Sequence, residues 1–299
     1  MERVTGNRSG PTDIPFLRGH SDITGDPAKV LMQITEEELW RALMIKTLVL
    51  LDQRIDSEIS DFEYVQFALA SLGEEESLGQ VVDKICMIKC FRKEYKIKGT
   101  PEEGAEFFDR FSLMCPGVFL AVDLIPPRLN CVGIFDFAAF RPKEQIQTDE
   151  QIRTFFGAHY YLMNSLYPNF HAIREGCEVV CECEGAGFEC FDSSFTETAI
   201  DTLFKAYPMS LKKAMMLNSP TVVSFFWALW KRRFPWQASK WQLGAKLYPE
   251  ELRINEFFYG APSEEARRRL MIENVQRSLQ IRKKNEDDFK FWKITQHWG

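Results

Sequence analysis

The sequence predicts an α/β fold: a mixed, largely parallel sheet flanked by helices and preceded by a small all-helical N-terminal module. Three observations predict it. Helix-capping signals follow one another between Thr35 and Thr100, each with an apolar stripe at helical spacing behind it. Beyond Pro116, short β-branched or cysteine-rich runs alternate with helical stretches of about ten to fifteen residues, which is the pattern of βαβ crossovers. A length of 299 residues with 45% hydrophobic content supplies a core for one large domain beside a smaller unit.

Residues 1–34 are rich in Gly, Pro, Ser, Thr and Asp and are expected to form a loose arm. Residues 35–100 form the helical module. Thr35 with Glu38, Ser60 with Glu63, and Ser77 with Gln80 have capping-box spacing, and Thr100 with Glu103 repeats it with Pro101 at the first helical position. Phe62, Val65, Leu69 and Leu72 make one apolar stripe, stopped by Gly73. Leu78, Val81, Val82, Ile85 and Ile88 make another, expected to end near Gly99.

Residues 101–260 form the α/β domain. Val118 to Val122 and Cys131 to Phe137 read as a strand pair around the turn Ile125-Pro126-Pro127-Arg128. Thr148 and Gln151 cap a helix that runs through Ile152, Phe155, Phe156, His159 and Met163 to the stop at Tyr167-Pro168. Cys177 to Cys183 is a buried strand closed by Gly185 and Gly187. Ser194 and Glu197 then cap a helix ending at Tyr207-Pro208, and Ala214 to Leu217 is the next strand, closed by Asn218, Ser219 and Pro220. Val222 to Trp230 is an aromatic helix followed by Lys231, Arg232 and Arg233. Residues 261–299 are a charged helix from about Glu264 to Lys284, packed through Leu270, Val275 and Leu279, and a tail.

Charge sets one region apart. Residues 202–249 hold eight Lys and Arg and no acid in a chain of net charge −6, leaving −14 on the remainder. An anionic partner is expected, and Phe225, Phe226, Trp227 and Trp230 beside Lys231, Arg232 and Arg233 fit an anionic membrane surface touched transiently. No nucleic-acid-binding motif accompanies the patch, so nucleic acid is not an expected partner. The N-terminus has no apolar leader and no run approaches the roughly 18 to 20 apolar residues of a membrane span, so a cytoplasmic protein is expected. The eight cysteines then read as reduced thiols.

Candidate chemistries are few. Gly185-Ala-Gly187-Phe-Glu-Cys190 lacks the third glycine of a dinucleotide loop, leaving a nucleotide-dependent α/β enzyme as the alternative reading. Cys177, Cys181, Cys183 and Cys190 with His171 lack C-x-x-C spacing, so no metal is expected and the thiols are small apolar packing groups. No nucleophile elbow or triad pattern accompanies the four histidines, so neither catalysis nor a cofactor is expected.

Four local sequences, taken in order, resemble the CRAL-TRIO lipid-binding family of tocopherol-transfer, retinaldehyde-binding and yeast-type phosphatidylinositol-transfer proteins. Val179 to Gly187 resembles its strand ending in an acid-x-x-Gly turn, with Glu182 as the acid. Tyr207-Pro208 resembles its Tyr-Pro, Met216-Leu-Asn218-Ser-Pro220 its Ile-Asn-x-Pro, and Lys240-Trp-Gln-Leu-Gly244 the strand after its mobile gate helix. The resemblance implies a carrier that holds one hydrophobic small molecule or phospholipid in a cavity closed by a gate, here Pro220 to about Phe234, which opens at membranes. It implies a lining of Cys177, Val179 and Cys181 on the strand face, Met215 on the next strand, and Phe225, Phe226 and Trp230 on the gate. Lys240 would meet a headgroup, and Lys231, Arg232 and Arg233 the membrane. Met209 stands where the phosphatidylinositol-binding branch carries a headgroup-contacting Glu, so a more apolar ligand is expected. A lipid-sensing regulatory module without transfer activity is a further reading, with the helix after Ser263 as its protein-contact surface.

Overall fold

The computed structural model describes residues 34–52, 59–125, 130–136, 139–192, 206–233, 240–245 and 263–295. The expected arm, the helix capped by Ser194 and the stretch 246–262 lie outside the described residues.

The helical module begins with α1 (Glu36–Leu51), α2 (Asp61–Gly73) and α3 (Leu78–Glu94). Each opens on its expected capping box, with the Thr35, Ser60 and Ser77 hydroxyls accepting from the backbone N–H three residues on. Such a cap contributes about 1 kcal/mol, so three in a row fix the helix starts firmly. α3 stops at Glu94, short of Gly99, because Lys96 itself takes the left-handed conformation (φ 53°). The Ile97 N–H then reaches the Arg92 carbonyl at 2.9 Å and satisfies an orphan acceptor of the last turn.

α4 (Pro101–Met114) leads into a five-stranded sheet of order β1-β2-β3-β4-β5. β1 (Phe119–Ile125) and β2 (Asn130–Asp136) are an antiparallel hairpin, and β3 (Cys177–Glu182), β4 (Leu211–Leu217) and β5 (Trp241–Ala245) add parallel to it. Between β2 and β3 run α5 (Pro142–Gln145), α6 (Asp149–Leu166) and α7 (Phe170–Glu175). α8 (Thr221–Arg233) joins β4 to β5.

α6 is the central buried helix. Its Gly157 lets the Phe107 ring of α4 approach so closely that a Cβ would stand 2.3 Å from a ring carbon. Its end covers β2, where a Cβ on Gly133 would meet Leu166 at 3.2 Å.

α9 (Glu264–Thr295) runs well past the expected end at Lys284. It lies against α4, α6, β1 and α2. Its buried spine is Met271, Val275, Leu279, Arg282, Asn285 and Phe289, with Leu270 only half-buried. The charged tail continues as helix because Asn285 donates to the Pro168 carbonyl at 2.9 Å and Phe289 packs edge-on against Phe62 and Phe170. Tertiary packing overrides a sequence whose charge obscures its apolar face.

Candidate functional site

Two of the turns singled out in the sequence meet at the C-terminal ends of β3 and β4. Glu182 pairs in register with Leu217, so the acid that ends one strand lies beside Asn218, which ends the next. One Glu182 oxygen accepts from the Cys183 and Glu184 N–H groups at 2.9 Å, and the Asn218 amide bonds both oxygens at 3.2 and 3.1 Å. The carboxylate thereby satisfies three donors and ties the two strand ends together while only 5% exposed. Gly185 closes the turn at φ 77°, a value only glycine takes without strain. Gly187 is extended at φ −107° and needs no such freedom. The glycines thus serve a side-chain-capped turn, and the Glu182 oxygens occupy its donors.

The register separates the expected lining into two sets. Val179 pairs with Gly133 and Ala214, whereas Val180 pairs with Met215. Adjacent paired residues share a face and the next residue takes the other, so Met215 lies with Val180, opposite Cys177, Val179 and Cys181. The face carrying the latter three is filled by α6 and the residue after it: Leu166 covers Gly133, and the Tyr167 hydroxyl donates to the Cys177 sulfur at 2.9 Å and lies 3.0 Å from the Ser210 carbonyl. One cavity on one side of the sheet therefore cannot include both sets, which corrects the expected lining.

Burial pushes the Cys177 and Cys183 thiols up to about 12 and Cys181 well above the ordinary thiol range. These thiols stay protonated at neutral pH and pack as small apolar groups.

α8 buries Val223 and Trp227, four residues apart, and exposes Phe225 and Lys231. The side chains of Trp230, Arg232 and Arg233 lie outside the described residues. Phe226 is the link to the rest of the site. It stacks on Phe191 at 4.3 Å and meets Phe188 edge-on at 6.1 Å and Phe225 at 5.7 Å. Phe188 opens the 3-10 turn Phe188–Cys190, which is held by Arg141: its guanidinium donates to the Cys190 sulfur at 2.9 Å and pairs with Glu189 at 3.1 Å. Two elements thus contribute to one ladder of phenyl rings whose outer members are 68% exposed at Phe188 and 56% exposed at Phe225.

Lys240 stands just before β5 and pairs with Glu74, the C-cap of α2, at 2.6 Å. Met209 is buried.

The family model described as the CRAL/TRIO domain matches residues 129–237, a span that contains β2, β3, β4, the Glu182 turn and α8. Over residues 129–237 the chain is similar to the CRAL/TRIO domain.

The solved structure entitled "Crystal structure of Sfh5" is similar at 13% identity and a TM-score of 0.46, covering 71% of this chain and 82% of that one. No curated protein sequence matches the chain. Three of the four local sequences that carry the resemblance fall inside the matched span, and Lys240 lies just beyond it. Phe188 and Phe191 were not among the expected site residues. A lone aromatic in a turn carries no periodicity, and it is the folded turn, held in part by Arg141, that sets Phe188 beside Phe226 of α8. Glu74 was missed as well, since 166 residues separate it from Lys240.

Proposed function

We propose that this protein binds one hydrophobic small molecule or phospholipid in its CRAL/TRIO domain and exchanges it at an anionic membrane surface, with α8 as the gate. The observation that carries this reading is the pair of exposed phenyl rings, Phe188 and Phe225, on a ladder rooted in α8 inside the matched domain. Burying one such ring in a bilayer interface is worth about 2 kcal/mol, an order of thirtyfold in partition. Lys231 is exposed on the same helix, and an acid-free run surrounds it in sequence, which favours an anionic leaflet.

In this reading the ligand lies toward the sheet face of Val180 and Met215, because Leu166 and Tyr167 already fill the face of Cys177, Val179 and Cys181. The pairing of Lys240 with Glu74 and the burial of Met209 favour an apolar ligand over an inositol headgroup.

Native mass spectrometry of freshly purified protein is expected to reveal a co-purifying lipid. Replacing Lys231, Arg232 and Arg233 by Glu is expected to slow transfer between anionic vesicles at least tenfold while the co-purifying lipid remains. A folded protein that carries no lipid and takes none up from vesicles would end the reading.

A further inference from the structure

α1 is apolar on two sides, and the fold packs one of them. Ala42, Ile45 and Val49 are buried against the rest of the helical module. On the opposite side Trp40, Met44, Leu48 and Leu51 recur at helical spacing in a single stripe, and they are 61, 49, 40 and 74% exposed. Leu50 lies beside the stripe, equally open to solvent. The polar side chains of the helix do not shield it. Glu38 is held by Arg174 of α7 at 2.6 Å, Arg41 donates to the Ser71 hydroxyl of α2 at 2.7 Å, and Lys46 pairs with Asp61 of α2 at 2.9 Å, so all three turn inward. The five open side chains present on the order of 500 Å² of apolar surface, near the top of the range for a monomer's largest patch.

Charge and area narrow the occupant. The first turn of α1 carries exposed Glu36 and Glu37, and its two cations, Arg41 and Lys46, are tied inward, which disfavours an anionic leaflet. A straight stripe at this spacing is the complement of another helix of the same kind. Two copies set stripe to stripe remove roughly 1,000 Å² of apolar surface before any polar rim is counted, which reaches the size of a specific interface. Charge also selects the orientation. A parallel pair would bring the acidic first turns together and set Trp40 on Trp40. An antiparallel pair keeps the acids a helix length apart, with the bulky Trp40 against Leu51 and Met44 against Leu48.

We propose that α1 is a dimerisation surface whose partner is a second copy of this chain, the two helices running antiparallel about a two-fold axis. The interface uses no residue of the phenyl ladder, so it stands whether or not the protein carries lipid.

The test is sedimentation equilibrium of the full chain. A reversible dimer with a Kd of roughly tens of micromolar is expected, in keeping with an interface of this size. Met44→Glu with Leu48→Glu puts four carboxylates into the seam and should leave only monomer at about 100 µM, a loss of at least tenfold in affinity. Both positions face solvent in the single chain, so at about 1 µM, where both proteins are monomers, the urea midpoint of this variant should equal that of the wild type. Met87→Glu, at an exposed methionine of α3 outside the stripe, should keep the dimer. A wild type that stays monomeric at about 100 µM, or a Glu pair that still dimerises, would overturn the proposal. Two forms of that negative result name another occupant. A monomeric wild type whose urea midpoint falls in the Glu pair has its stripe covered by residues 1–33 of its own chain. A monomeric wild type that floats with phosphatidylcholine vesicles, and ceases to in the Glu pair, uses the stripe on a membrane.

Discussion

At the scale of the residue, the Glu182–Asn218 pair accounts for two of the local sequences by which this chain was read. Asn218 sits at φ 48°, a conformation that costs a non-glycine residue about 1 kcal/mol, and its amide spans the Glu182 carboxylate. Removing either partner leaves buried donors or a buried carboxylate unsatisfied, so Glu182→Ala and Asn218→Ala are each expected to cost about 2–3 kcal/mol in urea unfolding. The double variant should cost clearly less than their sum, with a coupling of about 1–2 kcal/mol. Strict additivity would mean that the two side chains do not hold each other. Asn218→Gly should be milder than Asn218→Ala, since glycine relieves the positive φ. Both residues were legible in the sequence as turn formers, Glu182 from its acid-x-x-Gly spacing and Asn218 from the following Pro220. Their contact was not, because it depends on a strand register that brings together positions 36 apart in sequence.

At the scale of the element, glycine content decides how closely α4, α6 and α9 pack. A Cβ on Gly104 of α4 would stand 2.5 Å from Leu279 Cδ1 of α9 and 2.9 Å from the Tyr161 ring of α6, whereas Gly79 of α3 has nothing within 4 Å. The same substitution therefore has opposite signs. Gly79→Ala is expected to stabilise the protein by about 0.5 kcal/mol through helix propensity, and Gly104→Ala to destabilise it by about 1–3 kcal/mol through overpacking. Denaturant midpoints that moved together would refute the close seat of α9. The sequence revealed the starts of α1, α2, α3, α4 and α6 accurately because caps are local hydrogen bonds. It misjudged α9, whose inward side includes Ser278, Arg282 and Asn285. Hydropathy discounts these residues, yet the fold buries them through bonds to the Ser165 carbonyl, the Tyr167 carbonyl and the Pro168 carbonyl.

At the scale of the whole molecule, titratable groups inside the helical layer link its stability to pH in two successive windows. His159 of α6 stacks on Phe155 at 3.9 Å and its Nδ1 lies 2.9 Å from the Phe155 carbonyl, an acceptor that calls for the Nδ1–H tautomer. Burial, only partly offset by that hydrogen bond, lowers its pKa from 6.5 to about 4. The unfolded chain therefore binds a proton below pH 6.5 that the folded chain refuses until about pH 4, and stability falls as pH drops through that interval. Glu63 acts lower. Its carboxyl, held at about 2 against 4.5 unfolded, contributes stability that is complete above pH 4.5 and is lost as pH falls toward 2. Unfolding free energy is thus expected to decline in a first step between pH 6.5 and 4 and a second between pH 4.5 and 2. His159→Phe should flatten the first step and leave the second. Glu63→Gln should flatten the second, but it also lowers stability at pH 7, because Arg92 and Arg282 then lack their shared carboxylate.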